Sequence, residues 1–209
     1  MISVENNFRG LTTSTSEDLL FPVLKSDKFR IRQIHTNPPI YEIDNFFDSE
    51  LCDDYMQRAQ SLGEKRESQT FSTQYGVSSV RTSTTWYHLY KQVPEMLLRI
   101  REILNIPIER YEEPQIVRYE MGQQFTWHYD ALPASLAKKT SGQRIATVLI
   151  YLNTVEAGGA TAFKDLNIRV KPEKGKALIF FPCSLDGVPD DRTMHAGQIS
   201  FDTKWIAQL

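Results

Sequence analysis

The stretch Gln115-Ile116-Val117-Arg118-Tyr119-Glu120-Met121-Gly122-Gln123-Gln124-Phe125-Thr126-Trp127-His128-Tyr129-Asp130 decides how this chain is read. Gln115 to Tyr119 and Phe125 to His128 have the composition of strands, and Met121-Gly122 is the turn between them. In a strand, alternate side chains share a face, so His128 and Asp130 can grip one metal ion while Tyr129 points away. A second imidazole would complete a set of two neutral histidines and one carboxylate. Such a set holds Fe(II) on one side and leaves the other coordination positions open. His195, delivered from a neighbouring strand, is the candidate.

Downstream the chain continues as strands. Arg144 to Leu152 is apolar on both faces, as a covered central strand should be. Gly158-Gly159 and Lys174-Gly175 turn the chain, and Ala177 to Pro182 reads as another buried strand. A polar loop from Asp186 to Arg192 leads to His195, and Lys204-Trp205-Ile206 opens a last strand. Upstream, Asp48 can cap a helix with apolar positions Leu51, Tyr55, Ala59 and Leu62, ended by Gly63. A second helix has Pro94 near its start and Val93, Leu97, Ile100 and Leu104 on one face. Between them, Glu64 to Ser79 is polar and without strong periodicity, which predicts a long mobile loop. Val80 to Trp86 returns to strand-like composition. Residues 1–37 form a partly polar arm in which Phe29 to Arg32 alternates like a strand; 38–209 form the domain, opening with the short strand Ile40 to Ile43. Two helices followed by strands with Gly/Pro turns predict an α+β domain built on a sandwich or jelly roll.

A chain of 209 residues is long enough for one domain with a substantial core. Its net charge of −2 gives no electrostatic footprint for nucleic acid. The start, Met1 to Asn7, lacks the basic and apolar run of a signal peptide, and no apolar stretch is long enough to cross a bilayer. Cys52 and Cys183 do not make a disulfide framework and read as buried thiols. A soluble, cytoplasmic protein is expected, with no nucleic-acid or membrane partner.

The motifs then converge. Arg118 to Asp130 is followed by Arg144-Ile145-Ala146-Thr147, Tyr151-Leu152-Asn153, Gly158-Gly159-Ala160-Thr161-Ala162-Phe163 and Pro172-Glu173-Lys174-Gly175-Lys176-Ala177. His195-Ala196-Gly197 and Lys204-Trp205 close the series. In this order and spacing, from about Pro39 to the C-terminus, the sequence resembles the prolyl 4-hydroxylase branch of the Fe(II)/2-oxoglutarate-dependent dioxygenases. The resemblance implies a double-stranded β-helix with helices packed on one sheet. It also implies oxidative decarboxylation of 2-oxoglutarate to succinate and CO2, coupled to hydroxylation of a prolyl residue in a peptide or protein, with O2 consumed and ascorbate as accessory reductant. His128, Asp130 and His195 would be the iron ligands. Lys204 would pair with the distal carboxylate of 2-oxoglutarate, and Tyr119, Tyr151 and Thr161 match positions that hydrogen-bond its carboxylates. Arg81, Phe125 and Arg144 match substrate-side positions. The interval from His195 to Lys204 is one residue shorter than in collagen-type relatives. Within one strand that slip would reverse the lysine's face, but a turn around Phe201-Asp202-Thr203 uncouples the two.

Four other readings fit the residues less well. A nucleic-acid demethylase on this scaffold should carry arginines soon after the distal histidine, and none follows His195. A halogenase would need a small residue in place of Asp130. A non-catalytic binding module would be expected to have lost a ligand or the lysine. A hydroxylase of free amino acids is the nearest competitor, and a shorter, more closed lid than Glu64 to Ser79 would be expected of it.

Overall fold

The computed structural model describes residues 20–67, 80–139 and 142–209. In chain order the strands are β1 (Ile31–Thr36), β2 (Pro39–Ile43), β3 (Glu64–Glu67), β4 (Thr84–Tyr87), β5 (Gln115–Tyr119), β6 (Phe125–His128), β7 (Thr147–Tyr151), β8 (Thr161–Phe163), β9 (Ile168–Val170), β10 (Ala177–Phe180), β11 (His195–Gly197) and β12 (Lys204–Gln208). The helices are α1 (Ser49–Leu62), α2 (Pro94–Leu104) and the single turn α3 (Ala134–Ala137). The larger sheet has the order β1-β2-β10-β7-β12-β5-β4-β3, and the smaller β6-β11-β8-β9. Neighbours run antiparallel throughout. This is the double-stranded β-helix expected.

Period-two alternation sorts the apolar side chains of the larger sheet into two cores. Val148, Ile150 and Leu152, with Ala177, Ile179, Trp205 and Ala207, face α1 and α2. Leu149, Tyr151, Leu178, Phe180 and Ile206 face the smaller sheet, where they meet Phe163 and Val170. Because both faces are covered, β7 and β10 read as continuous apolar runs. Local signals set the helix ends. The Asp48 carboxylate accepts from Leu51 N at 2.8 Å to start α1. Pro94 stands in the first turn of α2, and Asn105 ends it in the left-handed region.

Two expectations need revision. Glu64 to Glu67 is not loop but β3, paired with β4 at the sheet edge. Charged residues suit an exposed edge, so apolar alternation is absent there and the strand leaves no periodic trace. Residues 68–79, the rest of that predicted loop, lie outside the described residues. Ahead of Pro38, β1 pairs with β2, and Phe21, Leu24 and Phe29 pack on the helix-side core; residues 1–19 of the expected arm lie outside the described residues. Finally, Val80 to Trp86 is not one strand. Val80 to Thr82 laces onto the smaller sheet beside β6, and the chain joins the larger sheet only at Thr84. Cys52 and Cys183 are buried free thiols, raised by burial to about 11 and about 12. No helix among the described residues is long and apolar enough to cross a membrane.

Candidate active site

Strand pairing brings the distant histidine home. His195 on β11 stands opposite His128 on β6, and the two rings lie 4.1 Å apart. One ligating atom each from His128, Asp130 and His195 fall within 4.8 Å of one another. The imidazoles are oriented by backbone carbonyls: Nδ1 of His128 lies 2.8 Å from Thr126 O, and Nδ1 of His195 lies 3.0 Å from Thr193 O. A carbonyl only accepts, so each ring carries its proton on Nδ1 and turns the Nε2 lone pair toward the centre. Nε2 of His128 stands 3.6 Å from Asp130 Oδ1, and Nε2 of His195 stands 3.7 Å from Oδ2. Burial, reinforced by the neighbouring His195, pushes His128 down to about 3, so the ring is neutral. Burial would raise Asp130, but His195, His128, Arg144 and the Thr147 hydroxyl outweigh it and hold the carboxyl at about 2. Two imidazoles and an ionised carboxylate converging on one point fit Fe(II).

Asp130 does not owe its place to the strand. β6 ends at His128, so the ladder fixes His128 and not Asp130. Side chains of β7 and of the segment leading into it hold it instead. Thr147 Oγ1 donates to Asp130 Oδ2 at 2.8 Å, and Arg144 donates to the Asp130 carbonyl at 3.3 Å.

A cavity of about 820 Å3 opens beside the triad. Lys204 lies in its wall, only 2% exposed; Nζ donates to Gly159 O at 2.7 Å and sits 4.8 Å from the centre of the Tyr119 ring. No carboxylate among the described residues is within ion-pair reach of it. Burial depresses Lys204 to about 7. A buried ammonium with a carbonyl and a ring but no counter-charge fits a carboxylate ligand. The lysine reaches this position because β12 starts after a bend at Phe201-Asp202, and Lys204 shares the inter-sheet face with Ile206. Thr161 also lines the cavity. Tyr151 stands behind it and donates to Thr161 Oγ1 at 2.8 Å, which frees the threonine proton to point into the cavity. Tyr119 lines the cavity with its hydroxyl bonded to Ser83 and Arg81, and burial raises it.

On the other side of the triad, Phe125 stacks on the His128 ring, and Arg81 lies over Phe125 at 5.2 Å while donating to Ser83 and Thr85. Arg144 lines the cavity too, but Glu112 holds its guanidinium through two bonds of 2.6 and 2.9 Å. Most of its donors are therefore committed within the protein. Gln143 and Glu112 lie outside the motifs read from the sequence, and Thr147 lies inside one, Arg144 to Thr147, without a role assigned to it. A polar residue inside the apolar run Ile145 to Leu152 is the signal that marks Thr147.

Fold and site together define a non-haem, metal-dependent oxygenase of the double-stranded β-helix class. Comparison with known proteins narrows this. Residues 114–209 match the 2OG-Fe(II) oxygenase superfamily. The chain is 29% identical to Prolyl 4-hydroxylase 2 of Arabidopsis thaliana, over 85% of this chain and 70% of that protein. It is 30% identical to "Probable prolyl 4-hydroxylase 7" of the same plant, over 98% of this chain and 75% of the relative. In fold it is similar to the 2OG complex of viral collagen prolyl hydroxylase from Paramecium Bursaria Chlorella virus-1, with a TM-score of 0.64 and 24% identity over 81% of this chain and 93% of that one. The chain belongs to the prolyl 4-hydroxylase branch of the Fe(II)/2-oxoglutarate-dependent dioxygenases. It is a 2-oxoglutarate-dependent dioxygenase that uses Fe(II), 2-oxoglutarate and O2.

Proposed function

We propose that this enzyme hydroxylates prolyl residues within a peptide or protein chain, with His128, Asp130 and His195 as the iron ligands. The observation that carries the reading is the size and layout of the cavity. It has a buried cation, Lys204, at one part of its wall and exposed or half-exposed charged residues, Arg66, Glu109 and Glu113, at another. Its volume of about 820 Å3 lies toward the upper end of ligand pockets, which run to roughly 1,000 Å3. A five-carbon dicarboxylate held by Lys204 leaves most of that space for a second, larger ligand. Several curated relatives are named as prolyl 4-hydroxylases, and a solved structure of similar fold holds a hypoxia inducible factor peptide fragment.

When bound, iron with 2-oxoglutarate and O2 supplies the oxidation: one oxygen atom enters the substrate C–H bond, the other enters succinate, and CO2 leaves. The protein's own residues bind and orient. Lys204 neutralises the distal carboxylate, and Thr161, backed by Tyr151, and Tyr119 offer hydroxyls along the same wall. Phe125 and Arg81 shape the substrate side, and Arg81, with no carboxylate partner among the described residues, is the better candidate than Arg144 to meet a peptide carbonyl. Ascorbate would serve as reductant when turnover uncouples.

The test is a competition between free proline and a panel of proline-containing peptides, with Fe(II), 2-oxoglutarate and ascorbate present, scored by mass spectrometry for one added oxygen atom. Peptide hydroxylation should dominate. If free proline is the better substrate, the small-molecule reading replaces this one.

A further inference from the structure

The carboxylate of the triad, Asp130, lies two residues past the end of its strand. Gln143 performs the part of an absent strand neighbour. Its Oε1 accepts from Leu132 N at 2.6 Å and its Nε2 donates to Leu132 O at 2.9 Å, so one amide pins the backbone just after Asp130. Arg144 pins the Asp130 carbonyl, and Glu112 in turn fixes Arg144. Neither contact reaches the carboxylate itself. Among the described residues one neutral donor, the Thr147 hydroxyl at 2.8 Å from Oδ2, restrains its rotation about Cβ–Cγ. Thr147 is the first residue of β7 and is buried, with its backbone fixed opposite Phe180.

We infer that Thr147 is a positioning residue, which holds Oδ2 by a hydrogen bond so that Asp130 engages a metal through Oδ1 alone. The inference rests on His128, Asp130 and His195 being the metal ligands. The physical argument is one of coordination count. A carboxylate free to rotate can chelate through both oxygens and occupy an extra position, whereas this chemistry needs open positions for cosubstrate and O2. A hydroxyl that engages one oxygen biases against chelation. Groups that orient metal ligands in this way are typically worth about 10–100-fold in metal affinity or activity. The alternative is a threonine that merely satisfies its own hydroxyl at the start of a strand.

Thr147→Val removes the hydroxyl and keeps the β-branched shape; Thr147→Ser keeps the hydroxyl. Metal-free protein is titrated with Co(II), read by calorimetry and by the visible absorption of the bound ion, beside thermal unfolding without metal. Thr147→Val should bind Co(II) about 10–100-fold more weakly with an altered band, at nearly unchanged metal-free stability, and Thr147→Ser should return affinity and spectrum close to the parent's. Unaltered Co(II) binding by Thr147→Val, or Thr147→Ser behaving like it, overturns the inference. Should Thr147→Val not fold, Thr147→Ala is compared with Thr147→Ser under the same criteria. Failure of the parent itself to bind Co(II), or an Asp130→Ala variant binding as tightly as the parent, would instead overturn the ligand assignment.

Discussion

A lysine taken out of water needs a counter-charge, and among the described residues Lys204 has only a carbonyl oxygen and an aromatic face. Lys204→Ala should weaken 2-oxoglutarate binding by about 2–5 kcal/mol, the range for truncating one member of a buried charge pair. A screened surface pair would lose at most about 1 kcal/mol, so a small effect in calorimetry would move the role to another residue. The same burial has a pH consequence. Lys204 gives up its proton near pH 7 in the empty site, and a bound dicarboxylate raises that value. Binding then takes up a proton above pH 7 and none well below it. Affinity should be level on the acid side and fall by roughly tenfold per unit as pH climbs past 7, until the raised value is reached. A profile that stays flat through that range contradicts an ammonium–carboxylate contact at Lys204. At the metal, His128→Ala, Asp130→Ala and His195→Ala should each abolish succinate formation and leave the metal-free fold intact. Their side chains meet at the cavity, where only His195 also touches the inter-sheet core through Phe163 and Phe180, so circular dichroism should hardly change.

At the scale of elements, the turn before β8 ties the cosubstrate wall together. Gly158 has a φ of 75°, and a Cβ there would stand 2.3 Å from Ile199 O. Its neighbour Gly159 supplies the carbonyl that Lys204 bonds, and β8 begins two residues on at Thr161. Gly158→Ala should therefore cost at least about 1–3 kcal/mol of stability in urea unfolding and also weaken 2-oxoglutarate binding. A variant destabilised but with full cosubstrate affinity would show that the turn does not position the wall. Elements were legible where their signals are local: the Asp48 cap, Pro94 at the start of α2, and the apolar runs of β7 and β10. β3 was not, because an exposed edge strand of Glu, Lys and Arg has no buried face to impose a period.

For the whole molecule, one sheet serves two purposes, with a structural core on its helix side and the site on its inner side. Adjacent residues of β10 separate them. Ile179 packs toward α1 and α2, while Phe180 packs on the His195 ring at 4.7 Å and on Phe163 at 5.2 Å. Truncation to alanine should destabilise by about 2–5 kcal/mol for Ile179 and about 3–5 kcal/mol for Phe180. Only Phe180→Ala should also weaken Co(II) binding, and equal effects on the metal would refute the division. By itself the sequence determined the alternation that sorts these two faces, the helix caps and turns, and the local His128–Asp130 pair, because each depends on residues near one another in the chain. Tertiary structure alone decided four things: that His195 stands opposite His128, that Lys204 faces inward, that Glu112 rather than substrate holds Arg144, and that Thr147 rather than a strand ladder restrains Asp130. Three of these are pairings between residues distant in sequence, and the facing of Lys204 follows from the bend before β12 and its register in the sheet; no local pattern encodes which partner lies within reach.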